Sequence, residues 1–255
     1  MVSRTEYLDQ LKKLVNHKLI KVITGVRRCG KSTLLEQFRQ YLLNTGVRQE
    51  QIIAINFEDL AFESLLDYRT LYNYVKPKLK ESSMTYIFLD EIQNVFQYQK
   101  AVDSLYIQEN VDLYITGSNA HLLSGDLATL LSGRYVEIRM LPFSFSEFAQ
   151  EYHGNEKQAW NQYLRYGGFP YLTALEDETT KREYLSGIYH TVLLKDVATR
   201  NRISDINLLE SVLRFLADNI GSIVSGKKIA DSLVSYGRKV TSMTLENYLR
   251  GLADA

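Results

Sequence analysis

Gly25-Val26-Arg27-Arg28-Cys29-Gly30-Lys31-Ser32 reads G-x-x-x-x-G-K-S, the pattern of a phosphate-binding P-loop. Its flanks decide the fold. Before it lies an apolar run, Leu19-Ile20-Lys21-Val22-Ile23-Thr24, the pattern of a buried strand. After it, residues 33–43 carry apolar side chains at helical spacing. In a strand–loop–helix of this kind, Gly25 and Gly30 let the backbone curl so that successive N–H groups converge on a phosphate. The helix adds its positive N-terminal end. Lys31 reaches the β- and γ-phosphates, and the Ser32 hydroxyl is placed to ligate Mg²⁺. The expected phosphate contacts are therefore Gly25, Val26, Arg27, Arg28, Cys29, Gly30, Lys31, Ser32 and Thr33.

A second stretch matches the first. Tyr86-Ile87-Phe88-Leu89-Asp90-Glu91 is an apolar strand that delivers two carboxylates at its C-terminal end. In open parallel sheets that edge is where ligands bind. Read as a Walker B pattern, it assigns Asp90 to Mg²⁺, mainly through the metal's water shell. Glu91 would orient and polarise the water that attacks the γ-phosphate of ATP. A glutamate directly after the metal aspartate points to the additional-strand class of P-loop proteins rather than to a small-molecule kinase.

The remaining segments fill in an α/β pattern. Residues 4–16 read as a short amphipathic helix with Tyr7, Leu8, Leu11, Leu14 and Val15 on one face; core packing is the first role for Tyr7, adenine contact the second. Residues 51–57 read as a strand, 60–80 as an amphipathic helix capped or kinked by Pro77, and 97–109 as another helix. Val111 begins a further buried strand that ends in Thr116-Gly117-Ser118-Asn119. Ser118 or Asn119 there suits either a sensor of the γ-phosphate or an N-cap for the helix beginning at His121. Arg134 lies between a helix end and the strand 135–140. It is read as an arginine finger acting across a subunit contact, an in-chain phosphate contact, or a cation favoured by a helix C-terminus. Near residues 142–150 the αβ alternation stops and a helical region begins, with a shaped turn at Gly167-Gly168-Phe169-Pro170.

Composition removes several classes. Lys plus Arg equals Asp plus Glu, 30 each, so no global positive field argues for nucleic acid. One cysteine excludes an intrachain disulfide and a Cys-based zinc site. His17, His121, His153 and His190 have no ligand spacing. No signal segment or membrane span is visible, and a cytoplasmic protein is the expectation. An Asn-Lys-x-Asp guanine motif is absent, which argues against GTP.

Taken together, the motifs resemble those of archaeal and bacterial AAA-type P-loop ATPases close to the STAND nucleotide switches. The resemblance rests on residues 25–33, 56–59, 89–93, 116–119, 131–135, 142–147 and 167–170, and covers nearly the whole chain. It implies a parallel sheet flanked by helices (1–145), a helical lid (146–205) and the start of a winged-helix domain (206–255). By resemblance, Gly168 and Pro170 form the turn whose proline packs near adenine, and Arg134 stands where such proteins carry the finger arginine. Cys29 departs from the usual serine; beside a cation and a helix N-terminus, its thiol is expected to be acidified and protected by ATP. Relatives commonly continue into a nuclease-like domain. Here the helical pattern still runs at residue 255, so that domain is expected to be absent and the winged helix truncated.

Residues 227–233 and 240–249 fit helix, turn, helix, with Thr241 or Ser242 capping the second. Lys227, Lys228, Arg238 and Lys239 are candidate contacts to double-stranded DNA, diluted by Asp231 and Glu246. The expected function is Mg-dependent ATP binding and hydrolysis coupled to movement of the helical region. The alternative is a DNA-binding regulatory module switched by ATP with little turnover. ATP and ADP are the expected partners, and a trans role for Arg134 would require a homo-oligomer.

Overall fold

Strand β1 (Ile20–Thr24) is buried at every position, as a strand covered on both faces must be. A computed structural model describes residues 2–117, 133–199, 201–235, 237 and 240–253. Among these, β1, β2 (Ile52–Asn56), β3 (Thr85–Asp90), β4 (Val111–Gly117) and β5 (Tyr135–Arg139) form one parallel sheet in the order β2-β3-β4-β1-β5. The inner strands β3 and β4 are buried throughout, whereas the edge strands β2 and β5 are only partly covered. β4 lies between the loop-bearing β1 and the acid-bearing β3.

Period-2 alternation sends the strand side chains into two cores. Ile87 and Leu89 face one layer, with Leu71 and Val75 of α3 (Tyr68–Val75) and Val102 and Leu105 of α4 (Tyr98–Tyr106). Tyr86 and Phe88 face the other, with Leu8 and Leu11 of α1 (Thr5–Lys13) and Leu34, Phe38 and Leu42 of α2 (Lys31–Asn44). Fully burying one such side chain contributes about 1.5–3 kcal/mol.

One expected element is divided. The helix read over 60–80 is a 3₁₀ turn (Leu60–Leu65), then α3, then a second 3₁₀ turn (Lys76–Lys78) that contains Pro77. Asp59 accepts from the Ala61 N–H and Asp67 from the Arg69 N–H, each at 2.9 Å. Two N-terminal caps in one apolar periodicity restart the helix instead of continuing it.

The chain divides into two compact units, residues 1–183 and 184–255. The first also holds α5 (Phe145–Glu151) and α6 (Glu156–Tyr166), both opened by capping boxes, Ser144 with Glu147 and Asn155 with Gln158. Gly167 then turns the chain at φ 79° before a 3₁₀ turn, Pro170–Ala174. Helix α7 (Glu178–Thr191) passes the boundary and continues as a π-helix, Val192–Thr199. The described part of the second unit contains helices only: α8 (Ile206–Asp218), α9 (Gly226–Ser235) and α10 (Ser242–Ala253), packed around Leu209, Val212, Ile229, Leu233 and Leu245. Thr241 caps α10, its hydroxyl accepting from the Thr244 N–H at 3.2 Å. Arg238 and Lys239 lie outside the described residues. Among those described, no helix is long and apolar enough to cross a membrane.

Candidate nucleotide site

The glycine loop leaves β1 at the C-terminal edge of the sheet. A Cβ on Gly25 would stand 2.3 Å from the Met140 carbonyl oxygen, so only glycine lets the loop pass the chain leaving β5. Gly30, at φ 102°, opens α2 from a left-handed conformation that a side chain resists. Lys31, nearly buried, donates from Nζ to the carbonyls of Gly25 at 3.1 Å and Val26 at 3.4 Å. The same Nζ lies 3.5 Å from Glu91 Oε1. Arg27 faces Glu58, 3.8 Å away, from the segment after β2. Arg28 is exposed, and Val26 and Thr33 are half-buried.

Cys29 requires a correction. Its side chain is fully buried, and burial pushes the thiol up, against the opposing pull of Lys31 and Arg4. Desolvation outweighs the nearby cations, so the expected acidification does not occur. Iodoacetamide should alkylate Cys29 in the folded chain at least ~100-fold more slowly than in urea, with or without ATP. A mass-spectrometric time course checks this.

The acids sit where β3 ends. Register places Leu89 opposite Ile115, so Thr116 of β4 stands beside Asp90. The Thr116 hydroxyl donates to Asp90 Oδ1 and accepts from the Glu91 N–H at 3.0 Å. Sequence reasoning passed over Thr116 in favour of Ser118 and Asn119, which lie outside the described residues. Its signal was a polar residue next to the end of a mostly apolar strand. Glu91 adopts φ 54°, rare for a non-glycine residue and costing on the order of 1–3 kcal/mol. Thr116 on its N–H and Gln93, whose amide donates to Glu91 Oε2, hold it there.

Burial pushes the Asp90 carboxyl up, while hydrogen bonds from Ser32 and Thr116 pull it down. A serine hydroxyl in contact with a buried carboxylate is a hard oxygen donor pair of the kind Mg²⁺ accepts, and a cation would offset the burial penalty. These residues therefore fit the metal. A cavity of about 250 Å³, lined in part by Ser32, Glu36, Asn56, Phe62 and Asp90, opens beside them.

The structure also brings the distant Gly168 turn to the loop. Phe143 N–H donates to the Gly168 carbonyl at 2.7 Å, and a Cβ on Gly168 would come within 2.1 Å of Phe143 O. The Pro170 ring lies 3.9 Å from where a Cβ on Gly30 would stand. Tyr7, the other residue weighed for adenine, instead accepts from the Leu141 N–H through its hydroxyl at 3.2 Å.

Arg134 is not brought to the loop. Its carbonyl accepts from Ile20 N–H at 2.8 Å, at the start of β1 rather than its end. With about 3.3 Å per residue, it stands a full strand length from the phosphates' position. Its guanidinium pairs with Asp103 at 2.5 Å. The reading of Arg134 as an in-chain phosphate contact is therefore overturned: parallel strands put their starts and ends on opposite edges.

Comparison with known proteins agrees with this geometry. An uncharacterized protein of Haemophilus influenzae is 42% identical over 261 residues, covering all of this chain and 65% of the relative. The uncharacterized protein MJ1544 of Methanocaldococcus jannaschii is 33% identical over 257 residues, covering 95% of this chain and 56% of the relative. The chain thus spans about two thirds or less of the length of these relatives. The Walker-type ATPase PABY2304 of Pyrococcus abyssi has the same fold, with a TM-score of 0.67 at 17% identity, over 100% of this chain and 89% of that one. Residues 157–255 match a domain of unknown function. Residues 17–149 match the model of the AAA domain. That match takes in just over half the chain and every strand that delivers a side chain to the site, and on it the protein belongs to the AAA-type P-loop ATPase family.

Proposed function

We propose that the chain binds Mg·ATP at the C-terminal edge of the sheet and hydrolyses its β–γ phosphoanhydride bond. The observation that carries this reading is the meeting of Lys31, Ser32, Asp90, Glu91 and Thr116 at one strand edge. The loop N–H groups and the α2 N-terminus bind phosphate, and Lys31 exchanges its carbonyl partners for phosphate oxygens. Ser32 and Asp90 would hold Mg²⁺, which when bound neutralises charge on the phosphates. Glu91 accepts a proton from the attacking water, its carboxylate aimed by Gln93 and its backbone by Thr116. Pro170, beside Gly30, supports a coupling of nucleotide binding to the helices after β5.

Isothermal titration with ATP and a phosphate-release assay test this reading. Lys31→Ala should weaken ATP binding at least ~10-fold, the value of a lost charge-assisted contact. Unchanged affinity and turnover in that variant would reject the site.

Arg134, facing away from its own loop, supports a finger role only toward a second copy of the chain. Arg134→Ala should then lower kcat about 10³-fold with ATP affinity kept. Adding the Glu91→Gln protein, which is slow itself but still carries Arg134, should raise the rate above the sum of the two variants measured alone. Full activity of Arg134→Ala would rule the role out. Contact with double-stranded DNA is a second proposal, supported by the α9–α10 helix pair and by exposed Lys227 and Lys228 in the first turn of α9. Binding that weakens steeply with salt, and further in a Lys227→Ala/Lys228→Ala variant, is its signature.

A further inference from the structure

We propose that Arg4 is a positioning residue that locks the phosphate loop to the first helix beyond the sheet, α5, so that loop shape and helix position change together. The proposal rests on residues 25–33 being the nucleotide loop. Arg4 precedes α1 and belongs to none of the motifs in the sequence, yet its side chain is only 3% exposed. Nη1 donates to the Cys29 carbonyl at 3.3 Å, and Nη2 to the Leu141 carbonyl at 2.7 Å. Nε lies 2.8 Å from Glu147 Oε1. The guanidinium faces pack against the rings of Tyr7, 4.8 Å away, and Phe143, 5.0 Å away. One planar group thus joins the phosphate loop, the chain leaving β5, and α5.

Each contact has a consequence. The peptide plane is rigid and trans, so drawing the Cys29 carbonyl toward Arg4 turns the Gly30 N–H the opposite way. A loop whose N–H groups converge on an anion needs its carbonyls held outward in this manner. At the other end, Glu147 Oε2 accepts from the Ser144 N–H at 2.9 Å and hydroxyl at 3.1 Å, closing the capping box of α5. Glu147 cannot follow Arg4 without uncapping that helix. The base of Arg4 is fixed as well: its carbonyl accepts from Leu8 N–H at 2.9 Å, and the neighbouring Val2 carbonyl accepts from Gln37 Nε2 of α2 at 2.8 Å. A lysine would gather its donors on one nitrogen in place of the planar fork, and could not reach three partners spread around a guanidinium or stack between two rings.

Cys29, the one cysteine in the chain, reports on the loop directly. The test compares Cys29 alkylation rates and ADP affinities in wild type, Arg4→Lys and Glu147→Gln. Glutamine at position 147 keeps the capping box only by giving its oxygen to Ser144, which turns its NH₂ toward Arg4. Leu71→Ala, a core cavity on the opposite face of the sheet, controls for general loss of stability. Both Arg4→Lys and Glu147→Gln are expected to label about tenfold faster than wild type and than the control, and to bind ADP about tenfold more weakly, the size of one lost charge-assisted contact. Labelling no faster than the control would overturn the proposal. So would faster labelling with undiminished ADP affinity. A wild type that binds no ADP would instead reject the nucleotide reading, and the labelling rates would still decide the role of Arg4. Should Arg4→Lys fail to fold, Glu147→Gln carries the test alone.

Discussion

Glu91→Gln is expected to lower the rate of ATP hydrolysis by about 10²- to 10⁴-fold, the usual contribution of a positioned general base. The substitution keeps volume and hydrogen-bonding capacity, so Gln93 can hold the new side chain where it holds the old one, and Thr116 keeps the backbone N–H. It removes basicity and the negative charge 3.5 Å from Lys31 Nζ. ATP affinity should therefore be kept or slightly raised, because Lys31 is freed from a competing anion. Single-turnover phosphate release, set beside an ATP titration, separates the two effects. A variant that binds ATP and turns over at the wild-type rate would remove Glu91 from the chemistry. A variant that loses binding as well would show that the carboxylate serves the loop rather than the water.

The second large effect lies at the other edge of the sheet. Asp112→Ala should destabilise the first unit by about 3–5 kcal/mol, because it strands a buried lysine without its counter-ion. Lys21 and Asp112 are both fully buried and paired side chain to side chain. Lys21 Nζ also donates to the His17 carbonyl at 2.8 Å. Asp112 Oδ2 accepts from Asn16 N–H at 2.8 Å and from the Tyr114 hydroxyl at 2.9 Å. Asp112→Ala leaves those donors unpaired as well. Urea denaturation of the full chain measures the loss. Lys21→Met combined with Asp112→Leu should cost less than the two single changes added, since an apolar pair carries no stranded charge.

The variant also predicts a pH dependence. Burial already lowers the Lys21 pKa, with Asp112 acting to raise it. Without Asp112 the folded-state value falls further below the unfolded value of about 10.4. Between the two values the unfolded chain binds more protons than the folded chain, so stability must rise with pH across that window. A stability profile of Asp112→Ala that is flat from neutral pH to pH 10 would contradict the buried-charge account.

The site was legible where chemistry depends on neighbours in sequence. Gly25, Gly30, Lys31 and Ser32 work within one loop, and Asp90 with Glu91 share one strand end, so spacing alone brought them out. Arg4 and Thr116 were not legible. Arg4 gains its role from Cys29, Leu141 and Glu147, contacts up to 143 residues away, and Thr116 from a strand register no local pattern records. Cys29 was misjudged for a related reason: the neighbouring cation Lys31 was visible in sequence, but the burial that outweighs it was not. Arg134 shows the same limit, since whether a residue before a strand faces the phosphates depends on which edge that strand start occupies.

By itself, the sequence determined the alternation of strands and helices, the class of loop, and which acids end which strand, because these follow from apolar periodicity and from backbone demands that glycine and proline satisfy locally. The tertiary structure alone decided the order β2-β3-β4-β1-β5, the burial that reverses the expectation for Cys29, the edge on which Arg134 stands, and the meeting of Arg4 with loop and helix. Those are properties of surfaces brought together across the chain, and desolvation and hydrogen-bond geometry take their values only once the sheet has placed its partners.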